Sequence, residues 1–345
     1  MISYCADVDF MYNIRIVCIF MHAMHPESKE DTAMTKVFID GSAGTTGLRI
    51  YDRLSQRSDI ELMLLPEERR KDPAARADML NAADIAFLCL PDAAAIEAVE
   101  LVASPHTVII DTSTAHRTAD GWVYGMPELA GQREKIARSK RIANPGCHAS
   151  GFVALVAPLV RAGVIAPDAA LSCFSLTGYS GGGKKMIAEY QSDRRSLLLD
   201  APRMYALGQT HKHLREMTAV CGLSQPPVFC PVVGDFYSGM EVVIPLFAAQ
   251  TNGGMDAVCS AYQSAYPDGV IVFDGQADED GFLSASAFAD RDDMHIAVHG
   301  SAERITLTAR FDNLGKGASG AAVQNMNIVL GVEETSGLNA GGTNA

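Results

Sequence analysis

The stretch Lys36-Val37-Phe38-Ile39-Asp40-Gly41-Ser42-Ala43-Gly44-Thr45-Thr46-Gly47 decides the fold. Its apolar start reads as a β-strand over 36–40, and a helical pattern follows over 45–57. Between them the glycines are spaced G-x-x-G-x-x-G, a variant of the dinucleotide fingerprint. Glycine lets the backbone turn tightly and approach a pyrophosphate, which the amides and dipole of the helix N-terminus stabilise. A glycine triplet alone marks only a strand-to-helix turn. Placed directly after a strand and opening a helix, it favours dinucleotide binding through Gly41, Ser42, Gly44, Thr45, Thr46 and Gly47.

Outward from this stretch the alternation continues. Strands are expected over 61–65, 84–90 and 107–111, with helices over 73–82 and 92–102. Short connections between strands and helices imply a doubly wound parallel sheet. Near Cys147 the pattern changes. A strand ends at Ile142-Ala143, Pro145-Gly146 turns, and a long apolar helix runs over 147–161. Longer strands are expected over 169–176, 241–248, 270–273, 295–298 and 305–311, which reads as a second, α+β region around a large mixed sheet. A small-residue helix over 317–330 is expected to pack back on the first region. The resulting division is 34–146 for the dinucleotide, 147–311 for catalysis and oligomerisation, and 312–345 for the returning helix and tail.

The chain has 345 residues, 48% apolar and 20% charged, which supports about two globular domains. Its net charge of −13 argues against nucleic acid or an anionic membrane as the main partner. The eight cysteines form no C-x-x-C pair, so a zinc ribbon or thioredoxin-type motif is not expected, and a reducing compartment, the cytoplasm, is. Residues 10–24 are apolar but interrupted by Asn13 and Arg15, and are too short for a membrane span. Residues 1–33 as a whole read as an extension outside the fold.

Further motifs carry chemistry. In Asn144-Pro145-Gly146-Cys147-His148 a cysteine opens a helix, where the dipole favours thiolate. His211-Lys212-His213 supplies imidazoles near such a nucleophile. Two histidines at i and i+2 cannot share a helix face, so a metal site of the H-E-x-x-H kind is not expected. Tyr179-Ser180-Gly181-Gly182-Gly183-Lys184 is a glycine-rich turn able to present N–H groups to an anion. Arg117 follows the fourth strand at the sheet's carboxyl edge, where ligands bind. After the second strand, Arg69, Arg70 and Lys71 can neutralise a 2′-phosphate, favouring NADP over NAD; a solvated charge run is the alternative.

Together these segments resemble the N-acetyl-gamma-glutamyl-phosphate reductase family, in its shorter type. The matching runs are 38–47, 144–147, 177–184, 211–213 and Asp312-Asn313-Leu314-Gly315-Lys316-Gly317-Ala318-Ser319-Gly320, in order, over about 34–330. Leu214-Arg215-Glu216 lacks a proline that many relatives carry before the glutamate. The resemblance implies a Rossmann-like domain followed by a catalytic domain of the glyceraldehyde-phosphate or aspartate-semialdehyde dehydrogenase kind, in a homodimer or homotetramer. It implies NADPH-dependent reduction of N-acetyl-L-glutamyl 5-phosphate to the 5-semialdehyde, with release of phosphate, in arginine biosynthesis. Cys147 then matches the nucleophile, and His211 with His213 the acid–base and substrate-contact motif, either of the two being the base. Arg117, Ser180 and Glu216 match substrate contacts, and Gly181 and Gly182 cofactor contacts. Such chemistry needs a thiolate, a base and a dinucleotide, and no metal. The rivals are an aspartyl-phosphate reductase of the same mechanism, a cysteine acyl-transfer hydrolase and a non-catalytic dinucleotide sensor.

Overall fold

A computed structural model describes residues 34–341. The extension expected over 1–33, with its interrupted apolar run, and the last four residues of the tail lie outside them.

The first sheet is built as the alternation predicts. Strands β1 (Thr35–Asp40), β2 (Ile60–Met63), β3 (Ile85–Leu88), β4 (Val108–Asp111), β5 (Val123–Tyr124) and β6 (Arg141–Ala143) lie in the order β2-β1-β3-β4-β6-β5, every pair parallel. Helices α1 (Thr45–Leu54), α2 (Pro73–Ala82), α3 (Asp92–Glu100) and α4 (Gln132–Arg138) connect them. Local chemistry sets the α2 start: Pro73 fixes its first φ, and the Asp72 carboxylate accepts the Ala74 N–H at 3.0 Å. β3 and β4 are buried at every residue, as the continuous apolar runs require of strands covered on both faces.

The second sheet has seven strands. β7 (Ser172–Gly178), β8 (Arg203–Met204), β9 (Val228–Gly234), β10 (Met240–Phe247), β11 (Ile271–Phe273), β12 (Met294–Gly300) and β13 (Arg304–Phe311) run in the order β11-β12-β13-β10-β7-β9-β8. Parallel and antiparallel pairs are mixed, as expected. Helix α5 (Cys147–Arg161) buries Phe152, Val153, Leu155, Val156 and Leu159 in the largest core. Helices α6 (Gly183–Tyr190), α7 (His213–Cys221) and α8 (Gly254–Ala265) complete this half. Phe174, Val228 and Phe247 are 45%, 58% and 65% exposed, so part of the sheet carries uncovered apolar side chains.

The returning helix is present over the expected residues. Residues 315–319 form one wide π-type turn, and α9 (Gly320–Leu330) follows. A Cβ on Gly317 would lie 3.0 Å from the Cys147 Cβ, so this turn passes close against the start of α5. Ala322, Val323 and Met326 of α9 pack with Val37, Ile39, Ile50 and Phe87 of the first sheet. No helix among the described residues is long and apolar enough to cross a membrane.

Candidate active site

Residues from both sheets converge on one cleft of about 470 Å3. Its floor at the first sheet is the turn after β1. Gly41 holds φ +87°, and a Cβ there would lie 2.3 Å from the Cys89 carbonyl oxygen. A Cβ on Gly47 would lie 2.5 Å from the Gly41 oxygen. These two glycines and Ser42 shape the turn without lining the cleft, whereas Gly44, Thr45 and Thr46 line it. Gly44 caps α1 with no side chain bound to the first amides, which leaves N–H groups for an anion. Thr112 and Ser113, just past the carboxyl end of β4, line the same wall. A dinucleotide fits this cradle. Gly41→Ala is expected to cost at least about 1–2 kcal/mol from the left-handed backbone alone and to weaken dinucleotide binding. Unchanged melting temperature and nucleotide affinity would contradict that reading of the turn.

Arg69 and Arg70 do not line this cleft. Arg69 pairs with Asp72 at 3.3 Å, and Arg70 Nε donates to the Leu65 carbonyl at 3.5 Å, both on an exposed turn. The buried arginine nearby is Arg76, whose Nη2 lies 2.8 Å from an Asp40 carboxylate oxygen.

Cys147 is the first residue of α5 and faces the cleft as a free thiol. Burial pushes the thiol above its ordinary value, against the helix dipole expected to favour thiolate. The Arg117 guanidinium, the His148 N–H and Lys212 pull the other way, and the Glu216 charge adds to the rise. The dipole and nearby cations therefore oppose a desolvation effect that is larger in the free protein. Alkylation of Cys147 by iodoacetamide, read by peptide mapping, should accordingly accelerate through the alkaline range. Its midpoint should lie above that of an ordinary thiol, and a midpoint below neutrality would contradict this balance.

His213 opens α7, and its ring packs 4.7 Å from that of His211, just outside the helix. The pair shares the cleft because only one of them is helical. Burial, then the Arg117 charge, holds His213 well below its ordinary value, and burial also lowers His211. Both are thus neutral at pH 7, with a free ring lone pair, and burial weakens each as a base. His213 Nδ1 is buried without a partner, so no protein group fixes its tautomer. A Cβ on Gly146 would lie 2.3 Å from Arg117 Nη1 and 2.4 Å from His213 Nε2, which places both against the residue preceding Cys147.

Arg117 is held on three sides. Its Nε donates to the Asn144 carbonyl at 2.9 Å, Nη2 to the Thr112 carbonyl at 3.1 Å, and Nη1 to Glu216 Oε2 at 3.0 Å. Glu216, expected at the substrate, is 2% exposed and does not line the cleft. Its Oε1 accepts the Gly146 N–H at 2.8 Å and the Tyr124 hydroxyl at 2.7 Å. With every donor internal, Glu216 fixes Arg117 and the start of α5 instead of contacting a ligand. Ser180 does line the cleft, where its Oγ accepts from Asn313 Nδ2 at 3.0 Å, and Gly181 and Gly182 lie beside it.

Several cleft residues escaped sequence reading. Lys212 lies between the two histidines, exposed and lining the cleft. Tyr205 OH lies 2.8 Å from His148 Nε2, while His148 Nδ1 meets Ser175 Oγ at 2.7 Å. Burial pushes His148 down to about 3, so it stays neutral. Tyr205 carries no local signal for this role, since it acts through a partner distant in the chain. Lys212 could have been found from its motif. Among the described residues no group of histidine, cysteine and carboxylate side chains is placed to hold a metal ion.

Two family profiles match the chain: the semialdehyde dehydrogenase NAD binding domain over residues 36–139, and the semialdehyde dehydrogenase dimerisation domain over 147–313. The chain is 47% identical over 323 residues to N-acetyl-gamma-glutamyl-phosphate reductase 2 of Nostoc sp., covering 88% of this chain and 99% of that protein. It is 43% identical over 310 residues to the enzyme of that name from Pseudomonas putida, covering 87% and 98%. Among solved structures, aspartate semialdehyde dehydrogenase II of Vibrio cholerae superposes with a TM-score of 0.66 at 17% identity, covering 86% and 98%. The Candida albicans aspartate semialdehyde dehydrogenase solved with NADP superposes with a TM-score of 0.61 at 16% identity, covering 86% and 99%. These structures share the fold expected from the sequence, a parallel nucleotide-binding sheet joined to a mixed catalytic sheet. With relatives this similar over nearly their whole length, the chain belongs to the N-acetyl-gamma-glutamyl-phosphate reductase family.

Proposed function

We propose that Cys147, His213 and Arg117 carry the chemistry of an NADP(H)-dependent reductase that converts N-acetyl-L-glutamyl 5-phosphate to the 5-semialdehyde in arginine biosynthesis. The observation that carries the reading is the meeting of Arg117 Nη1 and His213 Nε2 beside Gly146, directly before Cys147. An acyl phosphate brings a good leaving group and two or three negative charges. The cleft answers with Arg117 and Lys212, although the whole chain is acidic.

His213 takes the Cys147 proton, and the thiolate attacks the acyl carbon. The carbonyl–phosphate bond breaks and phosphate leaves with its electron pair, so a thioester forms on Cys147. Sulfur donates little resonance to that carbonyl, which stays electrophilic. NADPH, when bound, would supply the hydride that reduces it. The backbone N–H at the α5 start can donate to the charge that develops on the carbonyl oxygen; as that charge collapses the C–S bond breaks, the semialdehyde leaves and the returning thiolate takes back the proton held by His213. Gly44, Thr45 and Thr46 would hold the pyrophosphate, with Gly181 and Gly182 on the opposite wall. Arg69 and Arg70, beside the end of β2, remain the candidates for the 2′-phosphate.

For assembly, the exposed Phe174, Val228 and Phe247 support pairing of two copies across the open sheet face. Phe247→Asp should therefore shift the protein to monomer in sedimentation analysis. An unchanged oligomer would remove this face from the interface. Cytoplasmic residence fits the free cysteines.

The substrate is tested in reverse, by mixing semialdehyde, phosphate and NADP with purified protein. Cofactor reduction that requires phosphate, and occurs with N-acetyl-glutamate semialdehyde but not aspartate semialdehyde, supports the assignment. Reduction with the aspartate compound alone would replace the substrate and keep the mechanism.

A further inference from the structure

Tyr205, directly after β8, lines the cleft together with Cys147, His148 and His211. Its ring centroid lies 5.8 Å from that of His211. Among the described residues its hydroxyl has one partner, His148 Nε2 at 2.8 Å. The direction of that hydrogen bond decides what the hydroxyl can do. If Tyr205 donates to Nε2, its single proton is used. If Nε2–H donates to the Tyr205 oxygen, the phenolic O–H is free for a ligand.

The direction is set deeper in the fold. His148 is 3% exposed, and burial holds it neutral, so its ring carries one N–H. Its Nδ1 meets Ser175 Oγ at 2.7 Å. Ser175 is fully buried, and its hydroxyl has no other partner among the described residues. With the ring proton on Nδ1, the Ser175 hydroxyl would accept, and its own hydrogen would be a buried donor without an acceptor. With the ring proton on Nε2, Ser175 donates to Nδ1 and Nε2–H donates to Tyr205. What then stays unpaired inside is a lone pair, the cheaper omission. The chain therefore runs outward, from Ser175 through His148 to Tyr205, and ends on a free O–H.

That O–H belongs to a phenol that stays protonated, because burial and then the Cys147 charge hold it above its ordinary value. The same interaction brings the hydroxyl within electrostatic reach of the sulfur, although no hydrogen bond joins the two side chains. An acyl group on Cys147 carries its oxygen two bonds from that sulfur. This oxygen gains negative charge when thiolate adds to the carbonyl and again when hydride does.

We propose that Tyr205 is a further catalytic residue that donates its O–H to the oxygen of the acyl group at Cys147, with Ser175 and His148 setting the direction of donation. The bond strengthens as charge grows on that oxygen, and no proton is transferred. This role rests on the thioester reading of Cys147. Tyr205→Phe keeps the ring beside His148 and His211 and removes only the hydroxyl. In the assay with semialdehyde, phosphate and NADP it should lower kcat and kcat/KM together, by about 100-fold, with melting temperature and NADP(H) affinity unchanged. Neutron diffraction from crystals of the native protein in deuterated solvent reads the direction itself, and should find deuterium on His148 Nε2 and none on Nδ1. Deuterium on Nδ1, a Tyr205→Phe enzyme that keeps kcat within about threefold of native, or a loss confined to NADP(H) affinity would each overturn the assignment. A native enzyme that turns over without acylating Cys147 would instead defeat the thioester reading, whichever ring nitrogen carries the deuterium.

Discussion

Cys147→Ser is expected to leave NADPH affinity essentially unchanged and to lower reductase turnover by at least about four orders of magnitude. Serine keeps the size and the helix start, so the cradle around Gly44 and Thr45 is untouched. What is lost is the nucleophile. His213, held neutral by burial, is too weak a base to ionise a hydroxyl that is far less acidic than a thiol. Equilibrium titration of the cofactor and steady-state turnover separate the two effects. Retained turnover would remove Cys147 from the reaction, and retained function without turnover would favour a dinucleotide sensor.

Glu216→Ala is expected to destabilise the fold by about 3–5 kcal/mol, the usual cost of stranding one partner of a buried ion pair. The Arg117 side chain is 7% exposed and its Nη1 would lose its carboxylate. The Tyr124 hydroxyl and Gly146 N–H would lose their acceptor in the same step. Turnover should fall with stability, because Gly146 precedes Cys147 and Arg117 faces the cleft. Denaturant unfolding reads the first effect. Glu216→Gln, which keeps an acceptor and removes the charge, should lose less stability than Glu216→Ala. If Glu216→Ala unfolds at the native denaturant concentration, and only substrate affinity suffers, then Glu216 contacts substrate after all.

Much of this architecture is legible in the sequence because it depends on local pattern. The continuous apolar runs place β3 and β4, and Asp72-Pro73 announces the first turn of α2. The boundaries of α5 follow from the turn at Pro145-Gly146 and from Gly163 beyond its end. Strand β9 carries no such signal. Pro226, Pro227 and Pro231 make 226–234 look broken, yet β9 pairs with β7 along its length. Pro231 is tolerated beside β8, which is only two residues long, because it needs no N–H there and its carbonyl accepts from Tyr205 at 3.0 Å.

The site divides in the same way. Cys147, His211, His213 and the glycine turn announce themselves because their chemistry rests on residue type and short spacing. The placement of Glu216 does not, because it is decided by Arg117, Tyr124 and Gly146, which lie 99, 92 and 70 residues away. Position in sequence suggests a substrate contact; burial makes it a support for other groups. The ionisation of Cys147 is likewise not set by the helix end alone, since desolvation depends on everything packed around α5.

The central claim is that an acyl group passes through a thioester on Cys147. Semialdehyde and NADP, mixed rapidly with enzyme in the absence of phosphate, test it most directly. The account predicts a burst of one NADPH per site and then a stall, with the acyl mass found on the Cys147 peptide after acid quench. Addition of phosphate should release the stall. Sustained NADPH formation without phosphate, or a burst that leaves the Cys147 peptide unmodified, would contradict it.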